Sequence, residues 1–385
     1  MICSNKVEKM NIQNVFAEMQ RYLPELLSSS CIVNGAVMNL DEIQKMGYRE
    51  FSLRSKLNMP LKLYRYYPNR VDEKSGNNYS LQALQDNTIF LQSPFNFDDI
   101  YDSEINIDFG EYQRLRLMEY CRRCGVNFAE NASAQELLNN LAIRLWECAS
   151  QANDLTSAFI VTPSSELEAL NNENFRLKVL LELRSSSSFA EAIAKTLWDE
   201  YNRYINDLKT AFRTTCFATT PYSQLMWGGT YADGSKGFCL EYTVLPNDEA
   251  YEEIFYSLFP MIYCKVRPDM TKKLVEAKEK KPTIETMWDI YFHGVLRKSI
   301  DWAFQNEWRL LLPLRSENIA DYNVKFFPIT KVFLGNRMPA AQRKEIIEIC
   351  HEKNIPYVGV KKNPNFFEMQ DCEMMCENCP SLIKH

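Results

Sequence analysis

Asn306-Glu307-Trp308-Arg309-Leu310-Leu311-Leu312 reads as a β-strand that carries two opposite charges among apolar residues. Side chains alternate along a strand, so Glu307, Arg309 and Leu311 share one face and Asn306, Trp308 and Leu310 the other. A carboxylate and a guanidinium two residues apart on one face have two readings. They can form the wall of a polar cavity. They can equally be a buried ion pair that fixes a loop, with Arg309 reaching Asp99 or Asp102.

Working outward, Leu61-Lys62-Leu63-Tyr64-Arg65-Tyr66-Tyr67 alternates, is rich in aromatics and stops at Pro68, which marks a second strand. Further strands are expected at Thr88–Gln92, Thr214–Ala218, Gly237–Val244, Lys325–Pro328, Ile329–Leu334 and Pro356–Val360. Helical spacing predicts helices over Ser80–Gln85, Thr286–Ser299 and Ala340–Lys353, and the Lys- and Glu-rich run Met270–Lys281 reads as a solvated helix face. Between the early and late strands lies a purely helical pattern: Tyr112–Cys124, Ser133–Ala152 and Phe189–Phe212. The class is therefore α+β, a central mixed or antiparallel sheet with a helical insertion packed beside it. The expected organisation is a helical N-terminal extension over 1–60, a core over 61–110 and 211–362, the insertion over 111–210, and a Cys-rich polar tail over 363–385. Val15, Met19, Tyr22 and Leu23 carry the helical spacing of the extension.

The bulk properties exclude several classes. The 385 residues are 46% hydrophobic and 24% charged, ordinary for a globular protein, with a net charge of -6 that argues against a dedicated DNA binder. No apolar run reaches the roughly 18 residues of a membrane span, and the start lacks a signal-peptide core, so a cytoplasmic protein with reduced thiols is expected. With only His293, His351 and His385, a His-rich metal site or a Ser-His-Asp triad is disfavoured. No phosphate-binding glycine motif is present.

Three groups could carry chemistry. Asp98, Asp99 and Asp102 follow a strand, where they could hold a cation, orient a sugar hydroxyl, or cap a turn. Trp227 and Tyr231 lie four apart on one side of a helical turn and could stack on a ring or pack in the core. Gly228 and Gly229 between them allow close approach of a ligand or a bend. Cys372, Cys376 and Cys379, near His385, approach the spacing of a zinc knuckle, and Cys121 and Cys124 form a Cys-x2-Cys pair; the alternative is free thiols.

Four segments occur in a telling order: Leu63-Tyr64-Arg65-Tyr66; Leu91-Gln92-Ser93-Pro94-Phe95-Asn96-Phe97-Asp98-Asp99-Ile100-Tyr101-Asp102; Cys216-Phe217 followed by Leu225-Met226-Trp227, Tyr231-Ala232-Asp233 and Lys236-Gly237-Phe238-Cys239-Leu240-Glu241; and Arg297-Lys298, Trp302 and Glu307-Trp308-Arg309-Leu310. Together they resemble a bacterial family known as domain of unknown function 2971, over roughly residues 60–340. Thr230 and Ser235 stand where that family often has histidine, Asp98 where it has asparagine, and Ile100 where it has proline.

The order of Arg65 and Tyr66, then Trp227 and Tyr231, then Glu307 and Arg309 is similar to ADP-ribosyltransferase-type enzymes. It implies an NAD-using or other nucleotide-using reaction, with Glu307 binding a ribose hydroxyl and stabilising positive charge at the sugar carbon. A second possibility is a metal-dependent nuclease or phosphodiesterase, with Asp98, Asp99, Asp102, Glu241 and Glu307 sharing Mg2+ or Mn2+. A third is a non-enzymatic module that binds a small molecule or partner in a stress or phage response.

Overall fold

The computed structural model describes residues 28–151, 186–267, 269–279, 290, 292, 294–313 and 321–372. The protein is α+β, with mixed and antiparallel sheets. Two compact units are present. One comprises Met1–Ser103, Thr210–Val266 and Leu296–His385, the other Glu104–Lys209 and Arg267–Val295.

The described strands, all in the first unit, are β1 (Ser30–Val33), β2 (Ala36–Asn39), β3 (Lys62–Tyr67), β4 (Thr88–Leu91), β5 (Phe212–Phe217), β6 (Phe238–Thr243), β7 (Leu258–Pro260), β8 (Ile262–Cys264), β9 (Arg297–Ser299), β10 (Trp308–Pro313), β11 (Tyr322–Lys325), β12 (Ile329–Leu334), β13 (Tyr357–Lys362) and β14 (Met369–Asp371). They form sheets ordered β14-β13-β12-β6-β3, β5-β10-β7, β2-β1-β8-β9 and β11-β4. Pairing is antiparallel except at β12–β13 and β8–β9.

Alternation builds the core. On β3, Leu63 and Tyr67 pack into one apolar cluster and Tyr64 and Tyr66 into another. On β6, Phe238, Leu240 and Tyr242 join the first cluster and Cys239 the second. Both faces of this sheet are therefore covered, which is why aromatic and aliphatic side chains point to both sides of β3 and β6, with Lys62, Arg65 and Glu241 as the charged exceptions. On β10, Trp308, Leu310 and Leu312 face the first cluster. Each such side chain contributes roughly 1.5–3 kcal/mol on full burial. Helix Tyr79–Asp86 starts where the Asn78 side chain accepts from the Leu81 amide and stops at left-handed Asn87.

One strand edge decides where a cavity can form. β5 gives one edge to β10, with Phe217 opposite Trp308. Its other edge is shared by two diverging partners, Gln92 bridged to Thr214 and Tyr64 bridged to Ala218. Thr214 and Ala218 both use their amide and carbonyl there. By the two-residue period of an antiparallel strand, the backbone groups of Cys216 face the same edge, in the gap between the two bridges.

The second unit is built on helices Phe109–Arg123, Ala134–Gln151, Ser186–Thr210 and Thr271–Glu279. Leu117, Leu137, Leu141 and Leu197 form the centre of its larger cluster. Asp108 caps the first helix through the Glu111 amide.

Several local expectations are corrected. Residues 30–39, expected in a helical leader, form the β1–β2 hairpin around left-handed Asn34 and Gly35, because β1 pairs with β8. Val15, Met19, Tyr22 and Leu23 lie outside the described residues. Arg297–Ser299, assigned to a helix, is β9, drawn into parallel pairing with β8. The strand expected at Lys325–Pro328 lies earlier, at Tyr322–Lys325, paired with β4. Helix Thr271–Glu279 falls within the expected Met270–Lys281 segment and is amphipathic, burying Leu274, Val275 and Ala277. The tail was expected to stay out of the core, yet β14 pairs with β13 and buries Met369.

Candidate functional site

A cavity of about 330 Å³ lies in the first unit, at the gap along β5. Its wall combines Tyr64, Arg65 and Tyr66 from β3, Gln92 and Asn96–Asp99 after β4, Thr215–Phe217 from β5 with Ala218, Met226, Tyr231, Lys298 from β9, and Trp302, Gln305 and Glu307. Of the residues expected to form a polar site, Arg65, Tyr66, Asp98, Asp99, Tyr231 and Glu307 line this cavity.

Glu307 is 5% exposed and Arg309 is fully buried behind it. Asn306 adopts a left-handed conformation immediately before Glu307, holding its side chain against Thr219. Arg309 Nε donates to Glu307 Oε1 at 2.8 Å. Its two Nη groups donate to Asp102 Oδ1 and Oδ2 at 2.7 and 2.8 Å, a two-pronged pair with no solvent access. Ser103 Oγ donates to Asp102 Oδ1 at 2.7 Å. Lys298 Nζ lies 3.5 Å from both Asp102 Oδ2 and Glu307 Oε2, and donates to Gln305 Oε1 at 3.0 Å. Gln305 Nε2 in turn donates to the Tyr231 hydroxyl at 2.6 Å. The charges of Asp102, Glu307, Lys298 and Arg309 cancel, as burial requires.

The protonation states follow from that geometry. Burial alone would raise the Asp102 and Glu307 carboxyls; Arg309 beside them outweighs it, with help from Lys298, and holds both below the usual carboxylate range. Burial would lower the Lys298 ammonium, but Glu307 and Asp102 keep it above its ordinary value. The Cys216 thiol is pushed well up by burial and by Glu307, so it is an inert neutral group in the wall. Glu307 is therefore an anion and Lys298 a cation at neutral pH.

Arg65 differs from these. Its guanidinium sits over the Tyr67 ring at 5.4 Å and reaches the Cys216 carbonyl at 3.5 Å, and among the described residues it has no carboxylate partner. Asp99 spends one oxygen on the Tyr101 amide at 3.0 Å, while Asp99 Oδ2 is buried without a hydrogen-bond partner. Asp98 is exposed at the rim.

Other expected residues fall elsewhere. Trp227 does not line the cavity. It is fully buried, donates to the Pro221 carbonyl at 2.7 Å, and packs edge-on against Tyr66 at 5.3 Å. Tyr66 does line the cavity, but its hydroxyl is engaged by the Thr220 carbonyl at 2.8 Å. Asp102 and Arg309 lie behind the wall rather than in it. Glu241 belongs to a separate cluster, bonded to Lys62, Tyr64 and Thr330. Among the described residues no three His, Cys, Asp or Glu side chains gather to hold a metal ion. Cys121 is buried and Cys372 half-buried; Cys376, Cys379, His293 and His385 lie outside the described residues.

Lys298 and Trp302 fall in the fourth of the segments that carry the resemblance, without a site role assigned to them, and Gln305 carries no sequence signal. Lys298 was hidden because Arg297-Lys298 was assigned to a helix end; placed on a strand beside Tyr263, it faces the Glu307 side.

No helix among the described residues is long and apolar enough to cross a membrane. No curated protein and no solved structure matches the chain. A family model does match, over residues 226–310, a narrower stretch than the four segments span but one that includes most of the third and all of the fourth. Over that stretch the chain is similar to the family described as protein of unknown function (DUF2971).

Proposed function

We propose that the cavity holds a nucleotide-type ligand and that Glu307 faces the sugar carbon from which a ring departs, in an NAD-using reaction of the ADP-ribosyl transfer or glycohydrolase type. The observation that carries this reading is a fixed, ionised carboxylate in an aromatic-lined cavity. Arg309 holds Glu307 Oε1. Tyr231, Phe97 and Trp302 supply apolar surface on which a ring can lie.

The charge states limit the chemistry. An acid held below the ordinary range does not donate a proton at neutral pH, so Glu307 is suited to stabilising developing positive charge rather than to general acid catalysis. Lys298, held as an ammonium, is not an amine nucleophile. Asp99 Oδ2 remains as an acceptor for a ligand hydroxyl or amide. The metal-dependent alternative is less well supported, since Arg309 occupies both oxygens of Asp102 and Glu241 lies in another cluster.

A pair of measurements tests the reading. NAD should raise the melting temperature of the protein, and nicotinamide should be released on incubation. Glu307→Gln should slow that release about 10²–10³-fold with little loss of binding. A parent protein that neither binds nor consumes NAD removes the enzymatic reading. The non-enzymatic module then leads, favoured by the charge-neutral closure of the Glu307 network.

A further inference from the structure

We infer that Arg65 is the anchor for a single phosphate, so that the ligand in the cavity is a mononucleotide rather than a dinucleotide held along its length. The inference rests on the nucleotide reading of the same cavity and specifies its substrate class.

Among the described residues Arg65 has no acidic partner in the cavity wall. Its contacts are a carbonyl at 3.5 Å and the face of Tyr67, neither of them an anion. The other two cations near the cavity are committed: Arg309 to Asp102 and Glu307, and Lys298 to the same two carboxylates and Gln305. A guanidinium presents a planar fork that matches one phosphate two-pronged. A pyrophosphate needs more: further cations, or the amides of a glycine-rich helix start. None of the wall residues supplies these. The volume agrees. At about 330 Å³ the cavity lies at the small end of the range for ligand sites. A nucleoside with one phosphate suits that space, and the distal half of a dinucleotide would remain outside it.

The position of Arg65 is fixed by the fold. β3 places Arg65 on the same face as Leu63 and Tyr67, opposite Leu240 of β6, while the Tyr64–Ala218 bridge holds the strand against β5. The guanidinium is thus presented at the gap in the β5 edge, where the Cys216 carbonyl steadies it without neutralising it.

The test compares nicotinamide riboside, nicotinamide mononucleotide and NAD by equilibrium binding to the parent and to Arg65→Gln. The mononucleotide should bind about ten- to a hundredfold more tightly than the riboside, the worth of charge-assisted hydrogen bonds to one phosphate. NAD should bind within a few-fold of the mononucleotide. Arg65→Gln should erase the advantage of the phosphate, so that the mononucleotide binds no more tightly to the variant than the riboside does. If that variant does not fold, the parent alone decides: the phosphate advantage should shrink as salt is raised from low to physiological strength, as for an ionic contact. Equal binding of riboside and mononucleotide, NAD binding far tighter than the mononucleotide, or an Arg65→Gln variant that keeps the phosphate advantage would each overturn the inference and leave the nucleotide reading intact. Failure of all three ligands to bind overturns both.

Discussion

Asp102→Asn is the most informative perturbation of the buried network. In the parent, Arg309 donates to both Asp102 oxygens, at 2.7 and 2.8 Å, with neither side chain exposed to solvent. Asparagine keeps the shape but turns one acceptor into a donor facing a donor, and leaves Arg309 and Lys298 opposed by Glu307 alone. Breaking a buried pair by removing one partner costs roughly 3–5 kcal/mol, and the remaining Glu307 contact should hold the loss near the lower end. At about 2–4 °C per kcal/mol for a body of 150–250 residues, the melting temperature should fall by roughly 6–12 °C. The acid limb supplies a second reading. Asp102 is held below its ordinary value of 3.8, so its contribution is fully present above that value and is lost as the pH falls through the lower, folded one. Stability of the parent should therefore drop steeply in acid below about pH 4, and that slope should flatten in Asp102→Asn. Replacing Asp102 and Arg309 together by leucine should cost less than the sum of the two single changes. A single variant that melts within about 1 °C of the parent, with an unaltered acid limb, would refute the assignment of this network as a buried, charge-balanced support for Glu307.

Two further outcomes follow from other contacts. Burial pulls the Lys56 ammonium down to about 7, while the Leu258 carbonyl and the Phe259 ring, 4.5 Å away, favour the charged form. The unfolded chain then binds more protons between about pH 7 and the ordinary lysine value of 10.5, so stability should rise with pH across that window, and Lys56→Met should abolish the rise in denaturant melts. Truncation after Lys362 removes β14, including buried Met369, whose amide bonds the Tyr222 carbonyl at 2.8 Å, and should lower stability by roughly 2–4 kcal/mol in the same assay.

The strands that carry the cavity could be read directly because their alternation is strict. Glu307 and Arg309 fall on one face of β10 and Trp308 and Leu310 on the other, since a strand offers a two-residue period and nothing else. Of the two readings left open for that pair, the structure contains both at once: Glu307 borders the cavity and Arg309 is its buried support, bound to Asp102 rather than Asp99. Short strands were the weak point. β1, β2, β9 and β14 are three or four residues long and exist because a neighbouring strand is there to pair with them, which local sequence does not state. Lys298 was lost with β9 for that reason. Trp227 misled in the other direction: an indole four residues from a tyrosine fits a stacking site and a core position equally, and the Pro221 carbonyl decides for the core.

The split edge of β5 has a consequence for how the protein comes into being. The contacts that close the cavity join residues far apart in the chain: Arg65 meets Cys216 across 151 positions, and Asp102 meets Arg309 across 207. Closures of that length come late, after local helices and hairpins have formed, because the loop entropy must be met before the contact rewards it. Occupancy of the cavity is therefore a readout of finished folding rather than of any early intermediate. On a ribosome, a ligand that fits this site has nothing to grip until the strand bearing Glu307 has emerged. What it meets then is a chain whose early strands have waited through most of synthesis for their last partner.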